Sequence, residues 1–253
     1  MPVYTPRQQF ITKLAKDNGY VMIDRLAEEL AITTQTVRRD INYLCEQGVL
    51  SRFHGGGAFR SSVENIPYEA RRGTLSQEKE RIAIAVAKQI DDNSSIFIDI
   101  GTTAEAVAHQ LNDKHGLRIV TNNINVITLL SGKLDFDLTI VGGTIRHRDL
   151  AVVGAASGDF ISKFEVDYSI LGVVGIGPKG DIFDFSADEE GLTQAIIGSG
   201  RKTFLVADHS KFGRPATAKV AHIKQLDTIF TDRRPDKQWI KLFEEHRVKL
   251  VVA

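Results

Sequence analysis

The sequence contains a single cysteine, Cys45, and no long apolar run. One cysteine excludes an intramolecular disulfide and any zinc site built on several cysteines, and it fits a reducing compartment. No segment approaches the roughly 18 consecutive apolar residues of a membrane-spanning helix, and the N-terminus lacks the apolar run of a secretory signal. We therefore expect a cytoplasmic protein that does not bind a membrane.

The sequence also lacks an excess of charge, because its 32 basic residues equal its 32 acidic ones. Any affinity for nucleic acid must therefore come from a local basic cluster. A chain of 253 residues suffices for one large domain or for a small domain joined to a medium one. Its apolar residues fall in short bounded runs, which indicates buried cores rather than disorder.

The N-terminal apolar residues recur at helical spacing and predict three short amphipathic helices. Their apolar faces consist of Phe10, Ile11 and Leu14, then Ile23, Leu26, Ala27 and Leu30, then Val37, Ile41 and Leu44. Thr33 or Thr34 can cap the third helix, and Gly48 can end it. Two short extended pieces then surround the glycines at 55–57, as in a β-hairpin. The pattern predicts a winged helix-turn-helix over residues 1–60.

The remaining sequence predicts a second and larger domain. Residues 61–76 are polar and charged without a clear period, so we predict an interdomain linker there. From residue 77 onward, predicted helices alternate with short strands that are apolar on nearly every residue. Such strands are expected in a mostly parallel sheet covered by helices on both faces. The fold class is therefore predicted to be α/β, with the second domain over 77–253.

The predicted third helix carries a polar, mostly basic face. When Val37, Ile41 and Leu44 face the core, a turn of 100° per residue points the intervening side chains outward. In the major groove, Arg can bind guanine, and Gln or Asn can bind adenine, through two hydrogen bonds. The candidate DNA contacts on this helix and the hairpin are Thr34, Gln35, Thr36, Arg38, Arg39, Asn42, Arg52 and His54. The alternative is an ordinary solvated helix face.

Polar loops follow four of the predicted strands, at the edge where open α/β sheets bind ligands. The first loop opens directly into a helix, so backbone N–H groups, two hydroxyls and the helix dipole converge there, as in a phosphate site. The other loops add amides, a cation and a carboxylate, which suit a polyol phosphate. The candidate effector residues are Gly101, Thr102, Thr103, Asn122, Asn123, Gly142, Gly143, Arg146, Asp208 and Lys211. Each loop taken singly can also be a simple cap or turn.

We predict neither a cofactor nor a metal. The segment Gly175-Ile176-Gly177 lacks the third glycine and the following helix of a dinucleotide-binding fingerprint. No spacing of His, Cys or carboxylate residues is typical of a metal site. His147 and His209 are therefore interpreted as surface or pocket polar groups.

Segments in both halves resemble the DeoR family of bacterial transcriptional regulators. TTQTVRRDINYL followed by RFHGGGA resembles its N-terminal signature, and FIDIGTTAEAVAHQL, LRIVTNNINV, VGGTIRHRD, ILGVVGI and VADHSKFGR resemble its sensor domain. The resemblance implies a homodimeric or homotetrameric repressor of a carbohydrate or glycerol catabolic operon. It implies release from operator DNA by sn-glycerol 3-phosphate, or alternatively by another sugar phosphate. The phosphate would then bind Gly101, Thr102 and Thr103.

An isomerase-like enzyme with an appended DNA-binding domain is a competing hypothesis, because the family's sensor domain is similar in fold to ribose-5-phosphate isomerase. That isomerase carries an acidic Asp-Gly-Ala-Asp-Glu run, whereas the matching stretch here, Leu171 to Gly175, has no carboxylate. We therefore expect no enzymatic activity. A third hypothesis, a DNA-binding adaptor with a purely structural second domain, predicts no stabilisation by any ligand.

The sequence departs from the family at two places. Met22 stands where a Ser or Thr commonly begins the second helix, which predicts a weakened cap. Thr193 and Gln194 stand where a basic pair commonly follows the Glu that matches Glu189. Because the second departure lies close to the predicted pocket, we expect it to affect effector identity or the coupling to DNA.

Overall fold

Three helices form most of the first unit: α1 Pro6–Asn18, α2 Ile23–Glu29 and α3 Thr34–Glu46. The computed structural model describes residues 4–18, 20–53, 55–59, 68–214 and 216–253. The predicted cap at Thr33 is confirmed, because its hydroxyl accepts a hydrogen bond from the N–H of Thr36. Gly48 follows the end of α3 with φ of 72°, a left-handed conformation that suits glycine.

The wing contains one strand more than the sequence predicts. The hairpin strands β2 Leu50–Phe53 and β3 Gly56–Phe59 are antiparallel, and β1 Tyr20–Met22 pairs with the other edge of β3. Met22 makes no side-chain cap for α2, as predicted. The N–H of Ile23 is instead satisfied by the carbonyl of Gly55, at 2.8 Å. The wing therefore satisfies the first N–H of α2, although no side chain caps the N–H groups that follow it.

The chain divides into the compact units Met1–Leu75 and Ser76–Ala253. A short helix, α4 Tyr68–Gly73, lies within the stretch for which we predict a linker. The earlier part of that stretch, 61–67, lies outside the described residues. Six residues of the predicted linker are therefore helical.

The second unit has a parallel sheet with helices on both faces, which confirms the predicted α/β class. Its helices are α5 Ser76–Ala87, α6 Thr102–Gln110, α7 Ile124–Leu130, α8 Ala155–Ile161, α9 Glu189–Ser199 and α10 Lys237–Glu245. Its strands are β4 Ser95–Ile98, β5 Arg118–Thr121, β6 Asp137–Ile140, β7 Thr144–Arg146, β8 Ala151–Val153, β9 Val166–Leu171, β10 Gly175–Ile176, β11 Asp181–Asp184, β12 Gly200–Val206, β13 Ala218–His222, β14 Thr228–Thr231 and β15 Lys249–Val252. Alternate residues of one strand enter opposite cores: Ile96 and Ile98 pack in one and Phe97 in the other.

The order of the main sheet defines a crevice. Its seven strands run β15-β14-β12-β9-β4-β5-β6, and all neighbouring pairs are parallel. The chain builds outward from β4 through β5 to β6, then returns to β9 and builds outward on the other side. The strand order therefore reverses between β4 and β9. Ligands of open α/β sheets bind at such a switch point, outside the carboxyl ends of the strands.

Smaller elements frame this edge. The hairpin β7–β8 leads into α8, and a three-stranded sheet runs β10-β11-β13. The strands β7, β8 and β10 have two or three residues each, which is too short for a periodic pattern to show in the sequence. Within the described ranges, no helix has the length and apolarity needed to cross a bilayer.

Candidate functional site

The basic face predicted on α3 is present and accessible. Thr34, Gln35, Arg38 and Arg39 are exposed, and Thr36 is half-buried. The apolar face of the helix is fully packed, because each of its three core residues is at most 1% exposed. The described residues supply no ion-pair partner for either guanidinium, so both charges face solvent.

Two further candidate contacts, Asn42 and Arg52, form a hydrogen bond with each other. Nη1 of Arg52, on β2, donates a hydrogen bond to Oδ1 of Asn42, on α3. His54 lies outside the described residues. The bond connects β2 to α3, and the Arg52 side chain stays exposed to solvent.

Asp40 anchors α3 and was not anticipated from the sequence. Its carboxylate is 5% exposed and accepts hydrogen bonds from Nε of Arg7, at 2.5 Å, and Nε2 of Gln8, at 3.1 Å. Both donors belong to α1, so α3 is held to α1 on the side opposite its basic face. A polar residue between Val37 and Ile41 on the buried face was the available signal.

The predicted phosphate loop lies at the switch point. Gly101 precedes α6 with φ of 126°, a conformation that L side chains rarely adopt, although a Cβ there would meet no atom within 4 Å. The requirement for glycine is therefore conformational. Thr102 and Thr103 begin the helix, whose first-turn N–H groups lack helical partners and carry the positive end of the dipole. This end of α6 can bind an anion.

Asp99 lies directly before this loop, at the end of β4. The residue is 7% exposed, and burial raises the pKa of its carboxyl to about 7, although hydrogen bonds from the N–H groups of Ile100 and Gly172 oppose the shift. Nδ2 of Asn122 donates to Asp99 at 3.2 Å. Oδ1 of Asn122 is buried and has no hydrogen-bond partner among the described residues. The pair therefore has unused hydrogen-bonding capacity beside the crevice.

Asn123 has a structural set of partners. Its Oδ1 caps α7 by accepting from the N–H of Asn125, at 3.0 Å, and its Nδ2 donates to Glu105 at 3.0 Å. Glu105 also accepts from Nδ2 of Asn125, at 3.1 Å. The structure therefore places Asn123 between α6 and α7, with both ends of its amide engaged.

Gly142 and Gly143 are likewise explained by packing. The hydroxyl of Ser157 donates to the carbonyl of Gly142 at 2.9 Å. A Cβ at Gly143 would lie 2.2 Å from that hydroxyl oxygen and 2.7 Å from the carbonyl oxygen of Val153. Gly143 therefore permits the close approach of β8 and α8, and the carbonyl of Gly142 holds Ser157.

Arg146 connects two carboxylates. Its Nε and Nη2 donate to both oxygens of Asp149, at 2.8 and 2.9 Å, and its Nη1 donates to Glu189 at the start of α9. Both carboxylates are buried. The guanidinium borders an open depression of about 1040 Å³, and Glu189 also lines a small cavity with Asp99 and Asp184. Arg146 is therefore a bridge in the wall of the site rather than a free cation.

Asp208 ends the strand on the far side of β9. It is 2% exposed and caps a short 3-10 helix, His209–Lys211, by accepting from the N–H of Ser210 at 2.9 Å. Burial alone would raise the pKa of Asp208, but the charges of Lys211 and of Lys79, together with bonds from Ser210, bring it below its usual value. Lys79, a buried lysine of α5, is therefore a second positive charge that acts on Asp208, beside the predicted Lys211.

Two glycines bring the loops of this edge together. A Cβ at Gly172 would lie 2.7 Å from the carbonyl oxygen of Ile100, and one at Gly175 would lie 2.1 Å from that of Arg214. The segment between them therefore borders the α6 loop at one end and the loop after β12 at the other. Within the described residues, no group of His, Cys, Asp and Glu side chains is placed to hold a metal ion.

Comparison with known families agrees with both halves of the structure. The DeoR-like helix-turn-helix domain matches residues 7–63, and the DeoR C terminal sensor domain matches residues 74–233. The chain belongs to the DeoR family. The predicted winged helix-turn-helix and α/β sensor domain are thereby confirmed.

Curated relatives of this DeoR-family protein are transcriptional repressors. The glycerol-3-phosphate regulon repressor of Escherichia coli (strain K12) is 44% identical, over 97% of this chain and 98% of its own length. The repressor of the same name from Haemophilus influenzae is 42% identical, over 98% of this chain and 96% of its own length. Among solved structures, ribose 5-phosphate isomerase A from Methanocaldococcus jannaschii matches 55% of each chain with 12% identity and a TM-score of 0.40.

The departure from the DeoR pattern on α9 has two different consequences. Nε2 of Gln194 donates to the carbonyl of Val220 at 2.7 Å, and its Oε1 accepts from Gln225 at 2.8 Å. Gln194 therefore holds α9 to β13. Thr193 is buried and lines the small cavity beside Asp99. Of the two substitutions, only Thr193 contributes to the lining of a cavity at the crevice.

Several charged residues near this edge were not predicted from the sequence. They are Lys79, Asp99, Glu105, Asp149 and Arg214. Asp99 alone gave a usable signal, because it interrupts the apolar run FIDI at the end of a predicted strand. The others lie in helices or loops where a charged residue is unremarkable, and only the fold brings them to the crevice.

Proposed function

We propose that this protein represses an operon for the catabolism of glycerol or another carbohydrate, and that sn-glycerol 3-phosphate releases it from operator DNA. The observation that carries the effector site is the presence, at the carboxyl ends of β4, β5 and β12, of a free helix N-terminus, an amide with an unused acceptor, and a buried lysine charge. The names of the relatives from Escherichia coli and Haemophilus influenzae support the choice of effector.

In this proposal the phosphate binds the first turn of α6, with the hydroxyls of Thr102 and Thr103 and the charge of Lys211. Asp99 and Asn122 accept and donate hydrogen bonds to the polyol hydroxyls, because a protonated Asp99 and the free Oδ1 of Asn122 offer both functions. Asn123, Gly142, Gly143 and Arg146 act indirectly by holding the walls of the site. Asp208 holds the loop that carries Lys211.

The operator is read by α3 in the major groove, while the wing contacts the phosphate backbone. Two winged helices on a pseudo-palindromic operator require two-fold symmetry, so we propose a homodimer or homotetramer that acts in the cytoplasm. Effector binding favours a conformation with lower operator affinity, and a coupling free energy of about 1 to 3 kcal/mol is typical of such regulation.

We propose that the protein has no enzymatic activity. A carboxyl with a pKa of about 7 could serve as a general base, and Asp99 has this property. The neighbouring stretch from Leu171 to Gly175 nevertheless contains no second carboxylate. Turnover of ribose 5-phosphate by the purified protein would contradict this part of the proposal.

Thermal unfolding tests the effector assignment. Trp239, the only tryptophan, is buried in the second unit, so its fluorescence reports unfolding of the proposed sensor domain. The ligands are sn-glycerol 3-phosphate, ribose 5-phosphate, fructose 1-phosphate and inorganic phosphate. A ligand at a hundredfold excess over Kd stabilises the native state by about 2.7 kcal/mol. We expect sn-glycerol 3-phosphate to give the largest rise in Tm.

Two threonine variants locate the site. Thr102→Ala removes a hydroxyl from the start of α6 and is expected to abolish most of the shift. Thr128→Ala removes an exposed hydroxyl that bonds only within α7, and it is expected to keep the shift. A protein that none of the four ligands stabilises would contradict the effector proposal and its site, while leaving the DNA-binding role intact.

A further inference from the structure

A small cavity lies beside the loop that begins α6. Its volume is about 10 Å³, which is room for one water-sized group. The polar residues that line it are Asp99, Asp184, Glu189 and Thr193, and its other lining residues are apolar or glycine. No lysine, arginine or histidine among the described residues belongs to this lining. The cavity is therefore a space of hydroxyl size with three acidic residues in its wall.

The position of the cavity in the chain connects it to the start of α6. Asp99 and Ile100 line the cavity, and Gly101 and Thr102 follow them directly. Gly172, which also lines it, lies against Ile100, because a Cβ there would be 2.7 Å from the carbonyl oxygen of Ile100. Three residues of chain span at most about 11 Å. A small ligand whose phosphate binds the first turn of α6 can therefore place its other end at the cavity.

A buried amide beside Asp99 has a hydrogen-bond acceptor to spare. Asn122 is 0% exposed, and its Nδ2 donates to Asp99 at 3.2 Å. Its Oδ1 has no partner among the described residues. A buried acceptor is stabilised by a group that donates a hydrogen bond, and a hydroxyl both donates and accepts. An ionised carboxylate offers acceptors only, so it cannot serve this amide oxygen.

The wall of the cavity disfavours a further negative charge. Burial raises the pKa of Asp99 to about 7, and the charge of Asp184 adds to that shift. Arg146 donates a hydrogen bond to Glu189 and offsets its charge, but Arg146 lines the larger depression and not this cavity. A ligand carboxylate at the cavity would therefore meet acceptors and like charge, whereas a hydroxyl would find acceptors for its proton.

We propose that Asp184 is a specificity-determining residue, which favours a phosphate monoester with a hydroxyl at its far end over one with a carboxylate there. This inference rests on the proposed function, in which the first turn of α6 binds the phosphate. The terminal hydroxyl occupies the cavity and donates to its acidic wall, and an inner hydroxyl donates to Oδ1 of Asn122. The charge of Asp184 repels a terminal carboxylate, so the site selects partly by what it rejects.

Isothermal titration of the full chain at pH 8 with two ligands tests the inference. Both sn-glycerol 3-phosphate and 3-phosphoglycerate carry a phosphate and a middle hydroxyl, but the first ends in a hydroxymethyl group and the second in a carboxylate. We expect the unaltered protein to bind sn-glycerol 3-phosphate about tenfold or more tightly than 3-phosphoglycerate, because like charges at close range are costly. The ratio of the two affinities is the readout, since it cancels effects on the shared phosphate.

Two charge-removing variants and one control define the role of Asp184. Asp184→Asn keeps the size of the side chain and is expected to lower the ratio by about threefold to tenfold, chiefly through tighter binding of 3-phosphoglycerate. Asp99→Asn removes a second charge of the same wall, and its Oδ1 can still accept from Asn122, so we expect a lower ratio there too. Asp159→Asn changes an exposed carboxylate of α8 outside the cavity lining and is expected to keep the ratio.

A structural role of Asp184 would weaken the binding of both ligands alike. An unchanged ratio in Asp184→Asn would therefore overturn the inference, and so would an unchanged ratio in Asp99→Asn if Asp184→Asn does not fold. Equal affinity of the unaltered protein for the two ligands would overturn it as well. In each of these cases the proposed function stands as long as sn-glycerol 3-phosphate binds. If the unaltered protein binds no phosphorylated ligand, the proposed function and this inference fall together.

Discussion

At the scale of single residues, Asp99 links stability to pH. Its carboxyl titrates near 3.8 in an unfolded chain and at about 7 in the folded protein. Between these values the folded state holds a proton that the unfolded state releases, so the free energy of unfolding falls as the pH rises. The stabilisation is fully present below pH 3.8 and is lost as the pH rises through 7.

Replacing Asp99 with Asn removes this titration. From pH 4 to pH 8, we expect the free energy of unfolding of the unaltered protein to fall by about 2 to 4 kcal/mol more than that of Asp99→Asn. Urea unfolding followed by Trp239 fluorescence measures the difference. Asp113→Asn, at an exposed carboxyl, is expected to follow the unaltered protein. Parallel pH curves for the unaltered protein and Asp99→Asn would show that Asp99 titrates normally.

At the scale of elements, α3 is the part of the molecule whose role the sequence makes most explicit. Its apolar period and its Thr33 cap both indicate a helix, and its basic face indicates binding to DNA. The bond between Asp40 and Arg7 holds α3 to α1. If Arg38 reads a base, Arg38→Ala is expected to weaken specific operator binding by about 1 to 3 kcal/mol. Binding to unrelated DNA should change much less.

Fluorescence anisotropy with an operator selected from randomised duplexes, at several salt concentrations, measures both effects. Arg234→Ala, in the second unit, is the matched control for loss of one positive charge. If Arg38→Ala weakened binding equally to operator and unrelated DNA, Arg38 would be a phosphate contact, and base recognition would have to be assigned elsewhere on α3.

The elements differ in how far the sequence predicts them. The parallel strands and their helices were predictable, because each repeats an apolar pattern over four or more residues. The strands β1, β7, β8 and β10 were not, because two or three residues cannot show a period. In the proposed effector site, the α6 loop is local in sequence and was predictable. The contact between Arg146 and Glu189, residues far apart in sequence, depends on the fold.

At the scale of the whole molecule, the proposed repressor must couple two binding sites in separate units. Coupling of binding free energies is reciprocal: if effector lowers operator affinity by some factor, operator lowers effector affinity by the same factor. For a coupling of about 1 to 3 kcal/mol this factor is about 5 to 150. Release of DNA by simple competition for a shared basic surface would instead depend strongly on salt and little on effector identity.

Titration of sn-glycerol 3-phosphate into the free protein and into its operator complex measures this factor directly. We expect weaker effector binding to the complex, by the same ratio that anisotropy gives for operator release. Thr102→Ala should retain full operator affinity while effector no longer changes it, because its defect is confined to the sensor unit. Equal effector affinity with and without operator would mean that the ligand site is real but not regulatory, and the repressor would then need another signal for release.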